Sequence, residues 1–252
     1  MGQLKRFSLL LYASILPVCV LSACNSQEVS QERPLSSEEA SVLAEVLSRN
    51  YEAGGASFSL SARGGMEGGT ITMKGDIDWV NHQGGARVLG GSQPHPVTEV
   101  WWSAETVGER RPSLDVEILN QLPEVRNPIL VRPPDSTRRR LDQLLAIVTG
   151  LVAKTPENSQ LILQTKGSAF LRNDVLRDKP VLVLRYGMRS IFWLDAENKS
   201  LMRFEGNDSS SQFPVVIDFL NLGPRTLSLP QGAQVLNLTT NKQFLAFMPQ
   251  SP

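Results

Sequence analysis

Residues 191–205 read Ile191-Phe192-Trp193-Leu194-Asp195-Ala196-Glu197-Asn198-Lys199-Ser200-Leu201-Met202-Arg203-Phe204-Glu205. Two apolar runs flank a polar five-residue interval, the pattern of two antiparallel strands joined by a turn. Asn198 can take the left-handed conformation that such a turn needs. Strands are therefore predicted over 190–194 and 200–204, with two more at 180–186 and 213–219 on either side.

The same logic extends upstream. Phe58, Leu60 and Ala62 alternate with Ser57, Ser59 and Ser61, and Ile71, Met73, Ile77 and Trp79 follow a Gly-rich interval. His82-Gln83-Gly84-Gly85 reads as another turn, with strands resuming at 87–89 and 97–102. Glycine punctuation with period-two alternation predicts an antiparallel meander. Ahead of it, Ser36 and Glu39 form a capping box, Ala40, Leu43, Val46 and Leu47 recur at helical spacing, and Gly54-Gly55 ends the run.

The middle is less regular. Residues 103–110 read as either a short capped helix or a strand end, and 112–134, with five prolines, as a long, partly ordered connection. Asp135 then caps the most distinct helical pattern in the chain, with Leu141, Leu144, Leu145, Val148, Leu151 and Val152 on one face. Strands, helices and strands again give an α+β architecture.

At the start of the chain, Lys5 and Arg6 precede an apolar run from Phe7 to Val20, which is shorter than a membrane-crossing helix needs. It ends in Leu21-Ser22-Ala23-Cys24, with no cationic stop-transfer cluster in the polar residues beyond. This is the order of a secretory signal. The Leu-Ser-Ala-Cys segment resembles the lipobox of bacterial lipoproteins, whose cysteine takes a diacylglyceryl group before cleavage just upstream; the competing reading is an ordinary thiol behind a signal cut elsewhere. The expected organisation is a signal peptide over 1–23, a lipidated N-terminus and flexible tether over 24–34, and one domain over 35–252. Acyl chains on Cys24, palmitate or similar, would hold the protein at the extracytoplasmic face of the cell membrane.

The hairpin at 191–205 resembles the tryptophan-leucine-aspartate, turn, leucine-x-arginine-phenylalanine hairpin of LolA-like envelope lipoproteins and of the related LppX and LprG group. The strand Pro214-Val215-Val216-Ile217-Asp218-Phe219, followed by Gly223 and Pro230, is similar to what comes next in that superfamily. The resemblance implies a half-open antiparallel β-barrel with helices packed on its concave face, and a cavity that takes acyl chains in several members. The stretch 112–134 is not part of that pattern.

Removing residues 1–23 leaves 23 basic against 25 acidic side chains, a net charge of −2, and one cysteine. No basic stretch exceeds Arg138-Arg139-Arg140, so there is no electrostatic footprint for nucleic acid. His82 and His95 stand at no metal-ligand spacing, no Gly-x-Ser-x-Gly elbow occurs, and Gly64-Gly65-Met66-Glu67-Gly68-Gly69 lacks the Lys-Ser/Thr of a phosphate loop. Asp76 with Asp78, and Asp115 with Glu117, alternate as on strands; solvated strand faces show the same pattern. The expectation is a monomeric, non-enzymatic lipoprotein with no cofactor or metal that binds or carries a lipid or other amphiphile. The alternative is a protein-interaction or sensory lipoprotein of the same fold, with a filled core, that regulates an envelope partner. The apolar face from Leu141 to Val152 can line an acyl cavity or be plain core. Arg138, Arg139 and Arg140, read as the first helical turn, can meet an anionic headgroup or be a solvated basic turn.

Overall fold

The computed structural model describes residues 32–64, 69–90, 97–207, 214–228 and 234–240. The signal, Cys24, the tip of the first Gly-rich hairpin, His95 and Pro230 lie outside these residues.

Helix α1 (Ser37–Ala53) begins where the capping box places it. The Glu39 N–H donates to Ser36 Oγ at 3.1 Å, and the Ser36 N–H donates to Glu39 Oε2 at 2.8 Å. Ala40, Leu43, Ala44 and Val46 form its buried face. It ends at Gly54, whose φ of +83° is left-handed and favours glycine. Replacing Ser36 with alanine leaves the first-turn donor unpaired and is expected to lower stability by about 1 kcal/mol in urea unfolding.

Two meanders follow. β1 (Gly55–Gly64), β2 (Gly69–Asp78), β3 (Gln83–Leu89), β4 (Glu99–Trp102), β5 (Val107–Arg110) and β6 (Pro128–Arg132) pair antiparallel in chain order. β7 (Ala169–Leu176), β8 (Lys179–Tyr186), β9 (Ser190–Asp195), β10 (Leu201–Asn207) and β11 (Pro214–Leu222) form the second meander, and β1 joins the two by pairing with β11. A last strand, β12 (Gln234–Asn237), runs parallel to β6, which makes the sheet mixed. The twelve strands form one sheet whose outermost members are β12 and β7, so it is open.

The two hairpin-bearing regions and the alternation were read as they fold, with local differences. In the 195–199 turn the left-handed residue is Lys199, φ +61°, while Asp195 Oδ1 accepts from the Glu197 and Asn198 N–H groups. The turn before β3 lies over residues 79–82, with His82 at φ +51°, and Gly84 and Gly85 belong to the strand. Gly84 is required there because the Trp102 ring occupies the place of its Cβ, 1.9 Å away.

The segment 112–134 is not a partly ordered connection. Pro112 sits in the first turn of α2 (Pro112–Gln121), where a proline loses no hydrogen bond, and Pro128 opens β6. Since 112–121 is helical, the strand alternation that grouped Asp115 with Glu117 does not hold. Of the two readings of 103–110, the strand is correct, as β5.

Helix α3 (Arg140–Gly150) starts four residues later than an Asp135 cap predicts. Asp135 caps a separate turn, accepting at Oδ1 from the N–H groups of Thr137 and Arg138. Arg138 and Arg139 thus precede the helix, and Leu151 and Val152 lie just past its end. A short helix α4 (Ser159–Gln164), unforeseen in the sequence, packs beside α1.

Leu60, Met73 and Val88 are register partners across β1 to β3, as are Phe58, Phe219, Ile217 and Phe204 by pairs and neighbours across β1, β11 and β10. All belong to one apolar cluster on one sheet face. The same cluster takes in Leu43 and Val46 of α1, Leu144, Leu145 and Val148 of α3 and Ile162 of α4. A smaller cluster joins Leu114 and Ile118 of α2 to Leu130 of β6 and Leu236 of β12.

Candidate functional site: the α3 face and its two ends

Helix α3 carries most of the residues singled out from the sequence, and the fold secures both its ends. At the C-terminal end the last carbonyls of a helix lack intrahelical donors. Trp79 Nε1 donates to the Val148 carbonyl at 3.2 Å, and Asn50 Nδ2 from α1 donates to the Leu151 carbonyl at 2.7 Å. Trp102 Nε1 donates to Thr149 Oγ1 at 2.9 Å. Trp79 also packs against Phe219 with centroids 5.4 Å apart, and Trp102 meets Phe58 edge-on. Two indoles rising from the sheet therefore hold the helix by their polar edges and support it with their apolar faces.

At the N-terminal end lies a group of buried charges that sequence reading missed. Glu109 of β5, Arg132 of β6 and Asp142 of α3 are each almost fully buried, as is Arg111 just before α2. Arg132 bonds Glu109 Oε1 at 2.5 Å and both carboxylate oxygens of Asp142 at 2.6 Å, while Arg111 bonds Glu109 Oε2 at 2.6 Å. The Asp135 N–H adds a donor to Asp142 Oδ2 at 2.6 Å. Burial pushes the Glu109 carboxyl up, but the charges and hydrogen bonds of Arg111 and Arg132 outweigh it and hold the group below the usual carboxylate range. The signal available in sequence was slight: Glu109 lies at a core-facing strand position, opposite Val100, where an apolar residue is the rule.

Arg139, the N-cap of α3, is partly buried beside this group. Among the described residues it makes no ion pair, and burial, with the like charge of Arg132, lowers its pKa from the guanidinium norm. α3 has no side-chain cap. Arg138 is exposed, and Arg140 is engaged, donating to the Arg63 carbonyl and to Gln143 Oε1. The three arginines thus separate into an exposed, a partly buried and a bonded one.

Of the apolar candidates, Leu144, Leu145, Val148 and Leu151 are buried in the main cluster, and Leu141 and Val152 are partly buried against it. Among the described residues no group of side chains could hold a metal ion, and no helix is long and apolar enough to cross a membrane.

No family model matches the chain, and no curated protein matches it in sequence. Among solved structures it is similar to LprF from Mycobacterium bovis, with 11% identity, 80% of this chain and 100% of that one covered, and a TM-score of 0.50. It is also similar to an uncharacterized conserved protein from Thermus thermophilus, at 10% identity, 78% and 96% coverage and a TM-score of 0.40. A third likeness is to the MucA/MucB complex structure of Pseudomonas aeruginosa, at 13% identity, 77% and 62% coverage and a TM-score of 0.33. At such identities the likeness is one of fold, and the match to LprF carries it. It agrees with the open sheet that the resemblance of the 191–205 hairpin implied.

Proposed function

We propose that the chain is a non-enzymatic, extracytoplasmic lipoprotein, anchored through acyl chains on Cys24, that binds or carries a lipid or other amphiphile in the cell envelope. The acyl part of the ligand lies between the sheet and α3, against Leu141, Leu144, Leu145, Val148, Leu151 and Val152. The observation that carries the reading is the pairing of a continuous apolar sheet face with a helix whose N-terminal end holds a partly buried cation that has no ion-pair partner among the described residues. A guanidinium at a helix N-terminus without a side-chain cap suits an anionic headgroup, which both its charge and the helix dipole favour. Arg139 is the principal contact in this reading and exposed Arg138 the second, while Arg140 acts on the protein itself.

Native mass spectrometry of the protein purified from membranes is the direct test. A co-purifying amphiphile, lost or reduced in Arg139→Gln, supports the reading. Consistent absence of bound lipid, together with no uptake of fluorescent acyl probes, overturns it.

The anchor is tested separately. Cys24→Ala removes the only sulfur that can accept the diacylglyceryl group and leaves Lys5, Arg6 and the apolar run intact. The variant is expected to accumulate as uncleaved precursor or to appear in the medium, and its intact mass carries no acyl group. If wild type and variant partition equally into the aqueous phase of a detergent separation, and the wild-type N-terminus is unmodified, the lipoprotein reading fails.

A further inference from the structure

The sheet face turned away from the core is not uniformly polar. Alternation places Lys74, Arg87, Glu99 and Arg110 opposite to Met73, Val88 and Val100, and register sets them side by side across β2, β3, β4 and β5. Lys74 lies directly opposite Arg87, a like-charge pairing that destabilises a sheet in water. One carboxylate, Glu99, serves both neighbouring arginines, at 3.2 Å from Arg110 and 3.9 Å from Arg87. The side chain of Arg87 is 83% exposed, and Lys74 is exposed without an ion pair among the described residues. Arg63 stands on the same face at the end of β1, and Leu89, 61% exposed, projects beside Thr72 on β3. Two further acids of this region are Asp76, already held by Arg225 at 3.2 Å, and Asp115 of α2, whose charge interacts with that of Arg110. A chain with equal numbers of basic and acidic side chains thus gathers a basic surplus around an exposed leucine on one sheet face.

We propose that this outer face of β1 to β5 docks the domain on an anionic lipid surface, with Lys74, Arg87 and Arg110 against headgroups and Leu89 dipping among them. The inference rests on the lipoprotein reading for its geometry. Glu32 lies eight residues beyond Cys24, and eight residues extend at most about 28 Å, so an anchored domain never leaves the membrane. Under that constraint even a modest attraction selects an orientation. Basic side chains flanking an exposed apolar one are the chemistry of an interfacial surface. Each basic group near an anionic bilayer shifts the docked population about fivefold. Docking by this face would leave the helices and the α3 site turned away from the bilayer plane.

The test uses the full chain purified from membranes and reconstituted on vesicles of phosphatidylcholine alone, or with phosphatidylglycerol. Two single-cysteine reporters are labelled with a membrane-impermeant maleimide: Leu89→Cys on the docking face, and Leu161→Cys, 55% exposed on α4, as the control. On phosphatidylglycerol vesicles at low salt, labelling at position 89 is expected to slow about fivefold or more. High salt or the charge reversal Lys74→Glu/Arg87→Glu should restore it, and position 161 should not change. Lys74→Gln/Arg87→Gln, which relieves the like-charge pair without adding acids, should restore it in part. Equal labelling at position 89 on both vesicle types, or protection at 161 instead, overturns the proposal; an acidic protein partner on this face would give the equal result. Failure of the anchor reads differently, because the chain then does not float with phosphatidylcholine vesicles at all. Docking would then appear as flotation with phosphatidylglycerol vesicles alone, lost in the charge reversal, and its absence there would overturn the proposal independently.

Discussion

Arg132→Met is expected to lower folding stability by about 3–5 kcal/mol at neutral pH, measured by urea unfolding with far-UV circular dichroism. Arg132 is the common partner of Glu109 and Asp142, and removing it strands two buried carboxylates. Asp142 keeps the Asp135 N–H, and Glu109 keeps Arg111. The loss comes from charge left without compensation in a dry site, not from the worth of the intact group, which desolvation largely offsets. Because Arg132 ties β6 to the first turn of α3, the variant should also free that end of the helix, and faster hydrogen exchange of the 140–144 amides would report it.

The pH dependence has a definite sign. The folded-state pKa of Glu109 is depressed, so its contribution is fully present above the unfolded value of about 4.3 and is lost as pH falls through the folded value. In Arg132→Met one of the two depressing charges is gone while burial remains, so the Glu109 pKa rises and the folded state favours the protonated form. The deficit relative to wild type is therefore largest near pH 7 and shrinks toward pH 4. A deficit that is constant across that range would mean that Arg132 acts through packing alone.

What was legible in the sequence was what local pattern encodes. The capping box at Ser36 and Glu39 and the alternation through β1 and β2 fold as read, because each depends on neighbours within a few residues. The 191–205 hairpin also forms where expected, with a different residue taking the left-handed position. The start of α3 was misread because Asp135 is a genuine cap, but of a turn that closes before the helix begins. Prolines hid α2 and β6, since Pro112 and Pro128 punctuate the starts of those elements instead of breaking them. The parallel pairing of β12 with β6 joins segments about a hundred residues apart, for which no local pattern exists. The Glu109, Arg111, Arg132 and Asp142 group was nearly hidden for the same reason: four charged residues from two strands, one helix and the N-cap of α2 become one site only after the chain has been brought together. The three consecutive arginines looked alike in sequence, and the turn at 136–138 gives them three environments.

Trp79→Ala is expected to cost about 3–5 kcal/mol, by loss of buried area and by the cavity left between the β2–β3 turn and α3. The indole is fully buried, contacts Phe219 and caps the Val148 carbonyl near the end of the helix. Trp79→Phe separates these roles: it keeps most of the apolar volume but leaves a buried carbonyl without its donor, a loss of about 1–3 kcal/mol. The neighbouring caps bound the effect, since Asn50 still holds the Leu151 carbonyl and Trp102 still reaches Thr149. Unfolding curves of the two variants decide which role dominates. Equal losses would assign the indole's contribution to its hydrogen bond, and losses below about 1 kcal/mol in both would remove Trp79 from the group of residues that hold α3 on the sheet. In the amphiphile-binding reading the same pair has a second consequence. A helix loosened at this end exposes the Leu144, Leu145 and Val148 row to solvent more often, so Trp79→Ala should release bound acyl probe faster than wild type, whereas Trp79→Phe should stay closer to it.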